Sequence, residues 1–214
     1  MQIQEMDHEV SIGLKQVNLP GILRLPKGNR SLVIFAHGSG SSRLSTRNNF
    51  VAETLEDAGI GSLLFDLLTE KEDMIYENRF NIELIADRLV QATNWALNND
   101  DMKNLAMGYF GASTGAAAAL KAAVKLKHCI KAVVSRGGRP DLAPDALPEV
   151  EAPTLLIVGG RDTPVIEMNR SASERMKGTR ELAIVRGATH LFEERGALEE
   201  VARLATEWFK KYLV

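Results

Sequence analysis

The sequence is short of cysteine, of basic runs and of long apolar segments. Cys129 is the only cysteine in 214 residues, which excludes an intrachain disulfide framework and is typical of a protein in a reducing compartment. Lys and Arg do not cluster, and the formal net charge is -2, so the chain lacks the electrostatic footprint of a nucleic-acid-binding protein. We therefore expect no nucleic-acid partner.

No stretch of the sequence approaches the roughly 20 consecutive apolar residues that span a bilayer. The first ten residues, MQIQEMDHEV, are acidic and lack the apolar region of a signal peptide. These absences predict a cytoplasmic, water-soluble protein with no membrane partner, and we expect a monomer or a homodimer. The composition, 45% hydrophobic and 25% charged, is ordinary for a globular protein with a sizeable core.

What the sequence does contain is a regular alternation of strand-like and helix-like segments. Apolar runs predict buried strands near 31–38, 61–68, 104–111, 131–138, 154–162 and 181–187. Apolar residues at spacings of three and four predict helices near 48–57, 82–96, 114–126, 163–177 and 197–212. Two shorter segments, near 9–15 and 17–25, come before the first buried strand and predict an antiparallel edge.

This order predicts a single α/β domain over residues 1–214, with a mostly parallel eight-stranded sheet flanked by helices. In such sheets ligands bind beyond the carboxyl ends of the strands, so the residues that follow each strand are the candidate functional residues. Only residues 135–153 separate the sixth strand from the seventh. That length predicts a loop without a cap domain, and therefore an open site for a small substrate.

The segment Gly111-Ala112-Ser113-Thr114-Gly115 matches G-x-S-x-G and lies between a predicted strand and a predicted helix. At such a turn the serine hydroxyl is pushed out above the sheet. The residues two before and two after it approach so closely that both must be glycine. Ser113 is therefore the candidate nucleophile. The competing interpretation is a closely packed turn without a catalytic role.

A serine hydroxyl needs a base within hydrogen-bond reach, and the base needs an orienting acid. Of four histidines, His190 follows the last strand and is the candidate base, whereas His37 is expected to brace a glycine-containing loop. Asp162 follows the preceding strand and is the candidate acid, although it could instead cap the next helix. Asp141, after the sixth strand, is the rival acid.

Two backbone N–H groups are expected to bind the oxyanion that forms during acyl transfer. One belongs to Thr114, directly after the candidate nucleophile. The other belongs to Ser39, in the HGSG loop after the first buried strand. Thr114 and Ser39 are therefore the candidate oxyanion-hole residues.

Four stretches, FAHGSG, GYFGASTG, LLIVGGRDTPV and VRGATHLFEE, resemble the oxyanion loop, nucleophile elbow, acid loop and histidine loop of α/β-hydrolases, in that order. The chain is most similar to the small dienelactone-hydrolase-like members, from about Leu32 to the C-terminus. This resemblance implies an α/β-hydrolase fold and hydrolysis of a small-molecule carboxylic ester, thioester or lactone, without metal or organic cofactor. Dienelactone hydrolases have cysteine where Ser113 stands here, so the resemblance does not extend to the dienelactone substrate.

Two arginines follow the sixth strand, Arg136 and Arg139 in SRGGRPD. A guanidinium group matches a carboxylate or phosphate with two parallel hydrogen bonds, so at least one of them is a candidate substrate-binding residue for an anionic group. The competing interpretation is that both lie at the surface or brace the loop through Asp141 or Asp145. The sequence leaves this choice open, and it also leaves open whether Asp66 is structural or lines the site.

Two other functions compete with a serine hydrolase. The segment GSGSS (38–42) resembles the start of a dinucleotide-binding fingerprint, and Asp66 could bind a ribose, but Arg43 stands where the third glycine is required. A non-catalytic binding protein on the same scaffold is the other alternative, because fold does not fix function.

Away from the motifs, Cys129 is expected to be buried, residues 69–73 to form a solvated loop, and residues 74–76 to be a candidate pocket wall.

Overall fold

Eight strands pair into one sheet in the computed structural model, which describes residues 8–214; residues 1–7 of the acidic N-terminal segment lie outside this range. The strands are β1 (His8–Gly13), β2 (Asn18–Arg24), β3 (Ser31–Ala36), β4 (Gly61–Phe65), β5 (Ala106–Ala112), β6 (Ile130–Arg136), β7 (Thr154–Gly159) and β8 (Arg180–Val185). The α-helices are α1 (Thr46–Asp57), α2 (Glu70–Asp73), α3 (Ile82–Leu97), α4 (Thr114–Lys125), α5 (Thr163–Arg175) and α6 (Ala197–Leu213).

The strand order in the sheet is β1-β2-β4-β3-β5-β6-β7-β8. β1 pairs with β2, and β2 with β4, in the antiparallel direction, whereas all other neighbours are parallel. The predicted mostly parallel sheet with an antiparallel edge is therefore confirmed. Because the parallel strands share one direction, the loops that follow β3 to β8 meet at one edge of the sheet.

Helices cover both faces of the sheet, which explains why the central strands are unbroken apolar runs. α1 and α6 pack on one face, where Val33 and Phe35 of β3 join the core. α3, α4 and α5 pack on the other face, where Ile34 of the same strand and Tyr109 of β5 are buried. The successive residues of β3 thus point to two different cores, as the pleat of a strand requires.

The connection between β6 and β7 is a loop and not a cap domain, as predicted. It contains two short 3₁₀ turns, at 140–142 and 147–149. Ala143, Ala146 and Leu147 of this loop are buried and belong to the core on the α4 side of the sheet. The loop is therefore packed down onto the body of the protein and does not form a separate layer.

Two predictions about local structure are wrong. Residues 69–73 are not a plain loop, because α2 forms there. A capping box starts this helix: the Thr69 hydroxyl accepts a hydrogen bond from the Glu72 N–H, and the Glu72 carboxylate accepts one from the Thr69 N–H. Cys129 is half-buried and not buried, because it lies in the turn that leads into β6. In the described part of the chain, no helix is long and apolar enough to cross a membrane.

Candidate active site

Ser113 occupies a strained turn between β5 and α4. Its backbone has φ 51° and ψ -119°, and only one other non-glycine residue in the described chain has a positive φ. Neighbouring backbone groups hold this conformation. The Ser113 N–H donates to the Arg136 carbonyl at 3.1 Å, and the Ser113 carbonyl accepts from the N–H of Arg139 at 3.1 Å. Ser113 itself is half-buried, which suits a hydroxyl presented above the sheet edge.

The two glycines of the motif allow the backbone to pass where no side chain fits. A Cβ at Gly115 would lie 2.1 Å from the Ala36 carbonyl oxygen, and one at Gly111 would lie 2.5 Å from the Ala116 Cα. α4 can therefore begin directly against the end of β3. This close approach places Ser113 beside the loop that carries Ser39.

His190 lies in the loop after β8, and its ring is held by Asp162. Nδ1 of His190 and Oδ2 of Asp162 are 2.7 Å apart, and the side chains are 39% and 15% exposed. Asp162 is the N-cap residue of α5, but its side chain makes no capping hydrogen bond. Asp141, the rival acid, instead pairs with Arg139. An acid on Nδ1 leaves Nε2 of His190 as the nitrogen that can accept a proton.

The segment 136–139 brings His190 and Ser113 to the same place. Its two end residues, Arg136 and Arg139, hold the backbone of Ser113 as described above. A Cβ on Gly137, between them, would lie 3.4 Å from His190 Cε1 and 3.5 Å from its Nδ1. The histidine ring therefore lies against the segment that anchors the candidate nucleophile. His190, with Asp162 on its ring, and Ser113 thus both lie against the segment 136–139 at the carboxyl edge of the sheet.

Two residues that the sequence analysis did not single out shape the histidine loop. Both oxygens of Glu194 accept the Thr189 N–H, at 3.1 Å each. Phe192 is buried and has φ 56°. Both lie within VRGATHLFEE, the stretch that resembles the histidine loop, but nothing in the sequence distinguishes them from the other residues of that stretch. Together they fix the backbone on both sides of His190.

The two predicted oxyanion-hole residues contact each other. The Ser39 N–H donates to Thr114 Oγ1 at 2.9 Å. The Thr114 N–H is the first of α4, so it has no acceptor within the helix. Thr114 is 3% exposed, and Ser39 is half-buried. The Thr114 hydroxyl thus connects the elbow to the loop after β3.

His37 has the structural role predicted for it. Its Nδ1 is 3.0 Å from the Gly38 carbonyl oxygen, and its Nε2 accepts the Leu67 N–H at 3.1 Å. A nitrogen that accepts from an amide carries no proton, so the ring is the neutral tautomer with its proton on Nδ1. Burial of the ring lowers the pKa of His37, which favours this neutral form. His37 therefore ties the loop after β3 to the end of β4.

Arg136 and Arg139 have opposite environments. Arg139 makes two hydrogen bonds to the Asp141 carboxylate, at 2.9 and 2.7 Å, as the loop-bracing interpretation expected. Arg136 is 8% exposed, and its nearest partners are Asn48 Oδ1 at 3.5 Å and the Phe192 ring at 5.9 Å. Its Nε has no hydrogen-bond partner in the described structure. Burial, with a contribution from Arg47, lowers the pKa of Arg136 to about 10, so the side chain stays charged at neutral pH.

An open cleft of about 540 Å³ lies beside the loop after β3, and Arg43 and Asp66 line it. The Arg43 N–H donates to Asp66 Oδ1 at 2.7 Å and its Nη1 to Oδ2 at 2.6 Å. Asp66 therefore both braces the loop and lines the cleft. This pair also argues against dinucleotide binding. Arg43 stands where the fingerprint requires glycine, and it is bonded to Asp66, the carboxylate that would bind the ribose. Residues 74–76, the candidate pocket wall, are exposed and do not line this cleft.

Within residues 8–214, His, Cys, Asp and Glu side chains form no group of three or more that could hold a metal ion.

Curated relatives of the chain come from Mycobacterium tuberculosis. In two strains of this organism, a protein named a putative phosphoribosyl transferase is 54% identical to the chain over 207 residues. The match covers 97% of this chain and 47% of that protein. The chain thus spans about half the length of the curated relatives it matches.

Solved structures extend the comparison. A dienelactone hydrolase from Anabaena variabilis is 54% identical, with a TM-score of 0.95, and the match covers 98% of this chain and 99% of that one. Est1E from Butyrivibrio proteoclasticus is 18% identical with a TM-score of 0.82, over 95% and 98% of the two chains. An esterase, Pf2001, from Pyrococcus furiosus is 22% identical with a TM-score of 0.76, over 97% and 93%. The last two share the α/β-hydrolase fold with this chain.

The family model named Dienelactone hydrolase family matches residues 57–213. This range includes Ser113, Asp162 and His190 but not the loop that carries Ser39. The fold, the family match and the solved relative agree with the resemblance seen in the sequence, and together they support a hydrolase. The chain belongs to the dienelactone hydrolase family.

Proposed function

We propose that the protein is a serine hydrolase that cleaves a small carboxylic ester, thioester or lactone through an acyl-enzyme on Ser113. The observation that carries the proposal is the 2.7 Å contact between His190 and Asp162, with the histidine ring against the segment that holds Ser113. An imidazole oriented by a carboxylate on Nδ1 is a base poised for a serine hydroxyl. The strained, half-buried elbow supports the same role for Ser113.

In the proposed reaction Ser113 Oγ attacks the substrate carbonyl carbon, and its proton passes to His190 Nε2. The carbonyl oxygen becomes an oxyanion, which hydrogen-bond donors at the elbow stabilise. When the carbon–oxygen bond to the alcohol breaks, the proton on His190 passes to the leaving alkoxide. Water then repeats the sequence on the acyl-enzyme, with His190 again as base, and releases the acid and Ser113.

A fluorophosphonate probe tests this proposal directly, because it labels only an activated nucleophile. Intact-mass spectrometry is expected to show one adduct, mapped to residues 111–115, in the wild type. Ser113→Ala should lose the adduct, whereas Ser171→Ala, at an exposed serine of α5, should keep it. A wild-type protein that takes no label, or that is labelled elsewhere, contradicts the proposal. A series of p-nitrophenyl esters of different chain length and charge then defines the acyl preference.

We also propose that Arg136 is the arginine available to an anionic group of the substrate. Arg139 already has a carboxylate partner in Asp141, whereas Arg136 is charged and buried and pairs with no acid among residues 8–214. Replacing Arg136 by Met should cost about 1.5–3 kcal/mol in kcat/KM for a carboxylated ester but little for its neutral analogue. Arg139→Met is the matched control. Equal losses of Arg136→Met on both substrates indicate damage to the Phe192 contact, and no loss on either indicates that substrate does not reach Arg136.

The name of the curated relatives suggests phosphoribosyl transfer, but this chain covers 47% of them. We propose that the matched half contributes the hydrolase, because a serine, a histidine and a carboxylate in this arrangement are suited to acyl transfer. Any phosphoribosyl transfer would then reside in the half of those relatives outside the match. Purified chain should therefore hydrolyse esters without catalysing transfer from phosphoribosyl pyrophosphate to a nucleobase.

A further inference from the structure

The hydroxyl of Thr114 stands out among the buried threonines of the described chain. Four threonines are buried there, and three of them donate their hydroxyl proton to a backbone carbonyl at 2.8 or 2.9 Å. These three are Thr93, Thr154 and Thr206. Thr114 instead accepts, from the Ser39 N–H at 2.9 Å. Within residues 8–214 its hydroxyl proton makes no hydrogen bond to a protein acceptor.

This arrangement changes the expected oxyanion hole. The Ser39 N–H was predicted to bind the oxyanion, but it is directed at Thr114 Oγ1. A hydroxyl carries one proton and two lone pairs, so a hydroxyl that accepts from Ser39 still has its own proton to donate. Thr114 follows Ser113 directly, and its backbone N–H is free at the start of α4. Thr114, the residue next to the nucleophile in the chain, therefore has two donors, its N–H and its hydroxyl.

We propose that the Thr114 hydroxyl donates a hydrogen bond to the oxyanion, and that the Ser39 N–H acts through it. The inference rests on the proposed function, since it assigns a role within the same acyl transfer. Thr114 keeps its proton throughout the reaction, so no covalent step is added. A hydroxyl that already accepts a hydrogen bond is a stronger donor, which gives the Ser39 contact a catalytic consequence. The oxyanion is then bound by the N–H and the hydroxyl of Thr114.

The test compares Thr114→Val with Thr114→Ser in steady-state hydrolysis of p-nitrophenyl acetate. Valine has the shape of threonine, so a methyl group would cover the Ser39 N–H where the hydroxyl had been. Loss of one oxyanion donor typically lowers kcat by about 10²-fold or more, and we expect that loss in Thr114→Val with KM little changed. Thr114→Ser restores the hydroxyl and should recover most of the lost rate.

The opposite result overturns the inference. If Thr114→Val equals or exceeds the wild type in kcat, the hydroxyl only screens the Ser39 N–H and contributes nothing to the oxyanion. Should Thr114→Val fail to fold in a thermal melt, Thr114→Ala carries the same expectation of a lost rate. A wild type that hydrolyses no ester and takes no fluorophosphonate overturns the proposed function, and the inference with it. If the wild type is labelled at Ser113 and Thr114→Val keeps the wild-type kcat, the inference is wrong while the proposed function stands.

Discussion

Two loops at the same edge of the sheet each carry a histidine, and the two rings are used in opposite ways. In the loop after β3, both nitrogens of His37 engage the backbone, at Gly38 and Leu67. In the loop after β8, one nitrogen of His190 contacts the Asp162 carboxylate, and the side chain is 39% exposed. Both ring nitrogens of His37 thus have hydrogen-bond partners. In His190 the Asp162 carboxylate orients the ring through Nδ1, and Nε2 has no hydrogen-bond partner among the described residues.

This difference separates the proposed base, His190, from a structural histidine. Position at the carboxyl edge of a parallel sheet is not enough, because His37 has it too. The ring must be oriented by an acid at one nitrogen and must keep the other nitrogen without a protein partner. Glu194 and Phe192 hold the backbone beside His190. His37 in turn holds the backbone of its own loop.

The largest effect expected from this comparison is on kcat of ester hydrolysis. His190→Ala should lower kcat by about 10⁶-fold and match Ser113→Ala within a few-fold, because the nucleophile and base act as a unit. His37→Gln should lose far less, since the ring of His37 moves no proton in the proposed reaction. Steady-state kinetics on one activated ester measure all three variants. A His37 variant as inactive as His190→Ala would remove the distinction between the two loops.

A smaller loss is expected when the orienting acid is neutralised. Asp162→Asn keeps the shape of the side chain but removes the charge that fixes the ring of His190, so kcat should fall by about 10⁴-fold. Asp141→Asn, the matched control, breaks the Arg139 pair and should keep most of the activity. If Asp141→Asn were the severe variant, the assignment of the acid to Asp162 would be wrong.

The smallest effect concerns stability and belongs to His37. Burial lowers the pKa of His37 in the folded protein, while in the unfolded chain it keeps the usual pKa of about 6.5. As the pH falls below that value, the unfolded chain binds a proton that the folded protein does not, so the free energy of unfolding decreases. One such group contributes a slope of at most about 1.4 kcal/mol per pH unit.

Urea unfolding of the wild type and His37→Gln at pH 7.5 and pH 5.5 measures this slope. The variant lacks the titrating ring, so its free energy of unfolding should change less between the two pH values. His8→Gln, at the exposed start of β1, is the control. Identical slopes in the wild type and His37→Gln would mean that the His37 ring gains its proton as readily in the folded protein as in the unfolded chain.

Much of the fold could be predicted from the sequence, because the strands of a covered parallel sheet are continuous apolar runs. β3 and β7 are buried at every position, and such runs have few other interpretations. The turn at Ser113 could also be predicted from its sequence motif, because only glycine fits at positions 111 and 115. His190 and Asp162 followed from their place after β8 and β7.

Other features depend on contacts between distant segments, which no local pattern encodes. The Ser39–Thr114 and Arg43–Asp66 hydrogen bonds join residues far apart in the chain, and both changed the interpretation of their loops. The environment of Arg136 depends on Asn48 and Phe192, which belong to two other elements. α2 was missed for a different reason, because four residues are too short for apolar periodicity even where a capping box is present.

The position of Cys129 provides a defined handle for attaching a probe. It is the only cysteine in the chain, and it is half-buried at the amino end of β6. Ser113 follows the carboxyl end of the neighbouring parallel strand, so the length of a seven-residue strand, about 20 Å, lies between the two positions. A maleimide dye or a surface tether would therefore attach at one known point, at the edge of the sheet opposite to Ser113. Immobilised in this way, the protein would present its open edge to the solution.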